Sequence, residues 1–272
     1  MKLSFNKRLQ KICKEKNNRL CIGLDIDPNH FPHFRNKTIE AMETFAKDVI
    51  DRTIDFCPVY KPNFAFYERY GSKGYALLER IVNFINNRSL VIADAKRGDI
   101  GNTSYQYSKS ILDNMGCDAI TVSPYMGKDA IEPFIENAEK GIFVLAITSN
   151  EGAAELQNNS DDKLPLYKKV INIVNELNVN DNMGIVVGAT QTNIMEEVKK
   201  NSKGLSWLVP GIGSQGGDLK KSVTISNQDG IGIINISRSI LYAGTGSMDD
   251  ILQAAKNYTK EIQKSLCSPI VY

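Results

Sequence analysis

A closed (β/α)8 barrel, the TIM barrel, is the fold this sequence predicts, as one domain over residues 1–272 with a short N-terminal helix. Three observations carry the prediction. Short apolar runs of strand length alternate with amphipathic stretches of helix length, which points to a parallel sheet. The apolar runs number eight, and a helical stretch follows each. A length of 272 residues suits eight such units closed into a barrel better than the alternative, an open doubly wound sheet. No linker, low-complexity run or short-period repeat divides the chain.

Leu3 to Lys16 reads as the leading amphipathic helix. Leu20 to Leu24 is the first strand, ending at Asp25. Between Thr38 and Asp55, the residues Ile39, Met42, Phe45, Ala46, Val49, Ile50 and Ile54 share one helical face. Pro58 to Pro62 is the second strand and Tyr75 to Ile85 the next helix. Leu90 to Asp94 is the third strand, followed by a helix over Ser104 to Met115. Ala119 to Val122 is the fourth, with a helix over Ala130 to Ala138. Ile142 to Ile147 is the fifth, and the polar stretch Thr148 to Lys163 after it shows no periodicity. Leu164 to Leu177 is helical, Gly184 to Val187 is strand six, and Ile194 to Lys200 is helical. Trp207 to Val209 is strand seven, with a short helix over Asp218 to Val223. Ile231 to Ile236 is strand eight, and Asp249 to Leu266 the last helix.

Composition narrows the function. Hydrophobic content of 42% and charged content of 24% are ordinary for a globular chain. A net charge of +2 gives no reason to expect nucleic acid or an anionic membrane as partner. No apolar run nears the ~20 residues a membrane span needs, and the N-terminus lacks a signal-peptide core. The five cysteines are scattered with no C-x-x-C pair, so reduced thiols in a cytoplasm fit best. Cys21 and Cys57 read as packed residues, Trp207 as core, and His30 and His33 as solvated loop residues with no metal triad near them.

The chemistry concentrates at the end of the third strand. Val91 to Ala93 is apolar, then Asp94-Ala95-Lys96-Arg97-Gly98-Asp99 turns ionic. Alternation sets Asp94 and Lys96 on one side, roughly 7 Å apart at the Cα. A lysine between two carboxylates keeps its proton and can donate it at a fixed point. A structural ion pair at a strand end reads almost as well from these residues alone. The embedded Arg97-Gly98-Asp99 adhesion tripeptide abuts a buried strand and is set aside.

In a barrel the active site lies at the carboxyl ends of the strands. Asp25, Lys61, Asn63, Asp94, Lys96, Ser123, Thr148, Ser149, Gln215, Ser237 and Arg238 all fall there. Gly211 to Gly216 matches G-x-G-x-x-G, the dinucleotide fingerprint. It sits late in the chain, and the only acid near the required distance is Asp229, in a turn before the last strand. A phosphate cradle is the better reading: backbone N–H groups at Gly211 and Gly213, a helix N-terminus after them, and the Arg238 fork from the next loop. Arg238 capping its own helix is the bland alternative.

These residues resemble the orotidine 5′-monophosphate decarboxylase family, over nearly the whole chain. Asp94-Ala95-Lys96-Arg97-Gly98-Asp99-Ile100 is similar to its D-x-K-x-x-D-I hallmark, and Lys61 to the lysine of its second strand. Pro210 to Asp218 and Ser237 to Ile240 resemble its phosphate loops. Asn63 to Tyr67 and Gly101 to Thr103 resemble the branch shared by certain bacteria and apicomplexan parasites. The resemblance implies a homodimer that converts orotidine 5′-monophosphate to UMP and CO2 in de novo pyrimidine biosynthesis, without metal or organic cofactor. It implies a charged tetrad of Lys61, Asp94, Lys96 and Asp99, with Lys96 protonating C6 and Asp94 against the substrate carboxylate. Asp25 and Lys61 would hold the ribose, with Asp99 and Thr103 supplied by the neighbouring subunit. Ser149 would read the pyrimidine edge, Gln215 and Arg238 the phosphate, with Ser237 beside them, and Thr148 to Lys163 would form a mobile segment. Glu151, where relatives often carry proline, departs from the pattern but leaves the tetrad intact.

Two rivals would draw on the same residues, a phosphosugar enzyme with the same Asp94 to Asp99 strand and an aldolase using Lys61 or Lys96. A metal-dependent phosphosugar decarboxylase or synthase would want an acidic ligand at Lys61, where an ammonium repels magnesium. A Schiff-base aldolase would want a lysine of lowered pKa, which flanking carboxylates oppose. The non-enzyme alternative is a phosphate-binding regulatory barrel.

Overall fold

A computed structural model describes residues 2–30, 37–158, 164–202 and 204–267. His33 and the last part of the Thr148 to Lys163 stretch lie outside these residues, as do residues 268–272 of the expected domain.

Eight parallel strands close on themselves in sequence order. They are β1 (Leu20–Gly23), β2 (Val59–Lys61), β3 (Leu90–Arg97), β4 (Ala119–Val122), β5 (Gly141–Ile147), β6 (Met183–Val187), β7 (Ser206–Val209) and β8 (Gly232–Ile236). The barrel closes where Cys21 of β1 pairs with Asn235 of β8. Amphipathic helices pack outside it, among them Ile39–Thr53, Ser72–Ile85, Leu166–Leu177 and Met248–Leu266. The expected (β/α)8 barrel is therefore the fold observed.

Two apolar clusters hold it together. One lies between strands and helices and includes Trp207, Tyr60 and Phe134. The other fills the barrel: Cys21, Val59, Ile92, Ala119, Phe143, Val186, Leu208 and Ile233 point inward. The N-terminal helix Phe5–Glu15 seals the end where the strands begin, burying Phe5, Leu9 and Cys13 against that cluster. The Phe5 ring meets Phe143 edge-on at 5.9 Å. Gly141 allows this approach, because a Cβ there would lie 2.3 Å from the ring.

One plug and one apolar layer leave the opposite end free for chemistry. Side chains on a strand return to the same face every second residue. Two residues beyond Val59, Ile92, Ala119 and Ile233 come Lys61, Asp94, Thr121 and Asn235. The barrel interior thus changes from apolar to polar within one layer.

Several elements differ from expectation. The helix after β3 begins at Gly101, so Thr103 sits in its first turn, and it continues as a π-helical turn over Lys109–Asn114. The polar stretch after β5 contains a short helix, Ala153–Leu156. Its return is fastened by Gln157, whose Oε1 accepts from the Thr148 backbone N–H at 2.8 Å and whose Nε2 donates to Thr148 Oγ1 at 2.9 Å. Periodicity cannot reveal a side-chain latch of that kind. Short helices also occur at Ala65–Glu68 and Arg238–Leu241.

Candidate active site

A cavity of about 500 Å³ opens at the carboxyl ends of the strands. Its polar wall includes Asp25, Lys61, Asp94, Lys96, Ser149, Gln215, Ser237 and Arg238, all expected from the sequence, with Gly211 beside them. Leu145, Val186, Leu208 and Ile212 supply an apolar side.

Asp94 is the hub. Its backbone is clamped against β2, with its N–H donating to Pro62 O at 3.0 Å and its carbonyl accepting from Phe64 N at 3.2 Å. This register brings Lys61 Nζ to 2.6 Å from Asp94 Oδ2. Lys96 Nζ approaches the other oxygen, Oδ1, at 2.5 Å. Lys61 is only 3% exposed. Burial disfavours its charge, but the Asp94 and Asp25 carboxylates outweigh burial and hold its pKa above the ordinary lysine value. Burial likewise opposes the Asp94 charge, and the two ammoniums overcome it and hold the carboxyl well below the usual range. An ammonium, a carboxylate and a second ammonium therefore stand in a row on the cavity floor.

Regular alternation does not by itself produce the Lys96 position. The pairing of β3 with β4 shifts between Ala93 and Arg97, and Lys96 adopts a left-handed φ of 47°. Its side chain turns back over Asp94 while the chain continues to Gly98.

Asp99 and Thr103 are not on this chain's cavity wall. Asp99 Oδ1 accepts from the N–H of Ile100 at 2.8 Å, past the end of β3. Three of the four tetrad residues thus meet within one chain. Arg97 pairs with Glu68 and packs between the rings of Phe64 and Tyr107, so no adhesion loop is presented.

The glycine loop is more specialised than its pattern suggested. Gly211 has φ of 103°, and a Cβ there would press on Gln215 and Ser149. Gly213, at φ of 78°, lies off the cavity wall and packs on Ser239 instead. The helix that follows, Leu219–Ser226, is capped by Asp218, which accepts from Lys221 N at 2.9 Å. The carboxylate of Asp218 thus satisfies one of the backbone N–H groups at that N-terminus. Asp229, the only acid that could have served a dinucleotide, is paired with Lys199. Arg238 lines the cavity from the first position of its short helix.

Asp25 Oδ1 and Ser237 Oγ are buried without a hydrogen-bond partner among the described residues. Both belong to residues of the cavity wall, where a bound molecule could satisfy them. Cys21, Cys57 and Trp207 are fully buried, as expected of packed residues. Among the described residues, no three His, Cys, Asp or Glu side chains cluster as metal ligands would. No helix among them is long and apolar enough to cross a membrane.

Sequence reasoning missed Thr121, Gln157 and Asn235, all on the wall. For Thr121 and Asn235 the signal was present, since each stands two residues beyond an inward apolar residue of its strand.

Residues 18–249 match the family model described as "Orotidine 5'-phosphate decarboxylase / HUMPS family". The chain belongs to this family. It is 40% identical over 270 residues to the orotidine 5'-phosphate decarboxylase of Dehalococcoides mccartyi strain CBDB1, covering 97% of each chain. Its identity to that of Roseiflexus castenholzii is 37% over 268 residues, again covering 97% of each. Among solved structures, the Leishmania donovani OMP decarboxylase superposes with a TM-score of 0.86 at 34% identity, covering 98% of this chain and all of the other. Membership makes the chain an enzyme of the carboxy-lyase class. Asp94 and Lys96 of β3 and Lys61 of β2 are the charged residues at the floor of its cavity.

Proposed function

We propose that this chain decarboxylates orotidine 5′-monophosphate to UMP and CO2 in de novo pyrimidine biosynthesis, with Lys96 as the proton donor to C6. The observation that carries the reading is the Lys61, Asp94, Lys96 row beneath a cavity with an arginine at its rim. When the bond from C6 to the carboxylate breaks, its electron pair stays on C6 and CO2 departs. A proton from Lys96 Nζ then forms the C6–H bond of UMP, and the neutral amine regains a proton from water. An ammonium already held in place stabilises that developing carbanion more than the neutral ground-state carbon, which is what accelerates a reaction. Asp94 lies against the substrate carboxylate, which pushes it toward departure.

The unpartnered Asp25 Oδ1 supports its role as acceptor for a ribose hydroxyl, beside Lys61. Ser149 reads the pyrimidine edge, while Gln215, Ser237 and Arg238, with the backbone at Gly211, take the phosphate; Gly213, off the wall, shapes the loop instead. The apolar side from Leu145, Val186 and Leu208 suits a planar ring. Asp99 and Thr103 act from the partner of a homodimer, a reading supported by their absence from their own chain's cavity wall. No metal or organic cofactor takes part, and neither nucleic acid nor membrane is a partner. Four buried free thiols, Cys13, Cys21, Cys57 and Cys117, suit a cytoplasmic setting.

The test is to mix the protein with orotidine 5′-monophosphate in EDTA and follow the orotate-ring absorbance. Its loss with release of UMP is the expected result. Activity that requires added magnesium, or nucleotide binding with no turnover, would overturn the reading.

A further inference from the structure

We infer that Thr121 is a positioning residue for the proton donor, an inference that rests on the decarboxylase reading above. Thr121 is 1% exposed and stands at the inward position of β4. Its Oγ1 accepts from the backbone N–H of Lys96 at 2.9 Å. The same hydroxyl donates to Asp94 Oδ1 at 3.2 Å. That oxygen is also the one that Lys96 Nζ contacts at 2.5 Å. One hydroxyl therefore ties together the backbone and the side-chain partner of a single lysine.

The tie matters because Lys96 stands at φ of 47°, a region that a residue with a Cβ disfavours. The β3–β4 pairing shifts around it, so ladder pairing alone does not secure it. Residues held in such conformations persist when their surroundings over-determine them, and they cluster at active sites. Thr121 is a hydrogen-bond partner from outside β3 for both ends of the arrangement. It stands on the wall of the cavity that holds Lys96, yet its hydroxyl is already used twice, so its effect on substrate runs through Lys96 and Asp94.

The experiment compares Thr121→Val, Thr121→Ser and the parent. Valine keeps the shape and removes the hydroxyl, stranding the Lys96 N–H. We expect kcat to fall about ten- to a hundredfold, with KM and UMP affinity within about threefold. Serine should restore kcat to within about threefold of the parent. Amide hydrogen exchange at Lys96 should be slow in the parent and serine proteins and at least about tenfold faster with valine. This readout needs no turnover, so it tests the tie even if the parent proves not to be a decarboxylase. Unchanged kcat in the valine protein would overturn the inference. So would a serine protein as impaired as valine, or rapid Lys96 exchange in the parent, which keeps the test decisive if the valine protein does not fold.

Discussion

Lys61 Nζ lies 2.6 Å from Asp94 Oδ2, and the two side chains are only 4% and 12% exposed. An ion pair taken this far out of water gains Coulomb energy but loses hydration, and the balance is often near neutral. Its retention beneath a cavity points to chemistry rather than stability. It fixes the Asp94 carboxylate so that its other oxygen is available to Lys96.

Removal of the Lys96 ammonium is expected to be the most damaging single change. Under the proposed mechanism, Lys96→Ala deletes both the proton donor and the charge that shields Asp94 from the substrate carboxylate. Turnover should fall by more than the roughly 10²–10⁴-fold typical of lost general acid–base catalysis. Single-turnover rates would measure this, and an alanine variant within tenfold of the parent would remove Lys96 from the mechanism.

Arg238 is expected to act through binding. It lines the cavity from the start of the short helix after β8, whereas the Asp94 hub stands on β3. Arg238→Ala should weaken UMP binding and raise KM, with some loss of kcat if phosphate binding also orders the loops. Calorimetry with UMP decides the point: unchanged affinity would leave Arg238 a structural residue.

The position of Asp99 makes a prediction about assembly. Lys61→Ala and Asp99→Ala proteins should each be nearly inactive. In a mixed two-fold dimer, one site collects both defects and the other neither. Random reassortment of equal amounts should then recover about a quarter of parental activity. Mass spectrometry would verify mixing, and inactive mixed dimers would mean that Asp99 serves its own chain.

The charged row also sets an acid limb of stability. Asp94 has a lower pKa folded than unfolded. Its contribution to stability is complete above the unfolded value of about 3.9 and is lost as pH falls through the folded value. Lys61 is raised instead, so its contribution is complete below about 10.4 and is lost as pH rises through the folded value. The pair should contribute evenly between about pH 5 and 9. Asp94→Asn should flatten the fall in urea midpoint below about pH 4. An acid limb as steep as the parent's would show that other carboxylates govern it.

Much of the site was legible before any coordinates. Asp25, Lys61, Asp94 and Ser149 follow from one rule, that polar residues ending barrel strands face one rim. Thr121 obeyed the same rule but sat in the run Ala119 to Val122, where a hydroxyl among apolar residues reads as strand filler. Asp218 was placed at the start of its helix, but its role as the cap emerged only with its bond to Lys221 N.

By itself the sequence determined the barrel, its polar rim and the identity of the charged groups, because period-two and period-3.6 patterning are local properties of the chain. Only the tertiary structure decided which charges meet. The distance from Lys61 to Asp94 depends on the register of β2 against β3, which local patterning does not specify. The approach of Lys96 depends on a left-handed residue at a register shift, held by a hydroxyl from the next strand. Asp99 shows the same physics in reverse. It stands three residues from Lys96 in sequence, yet it is not on the wall of the cavity that Lys96 lines.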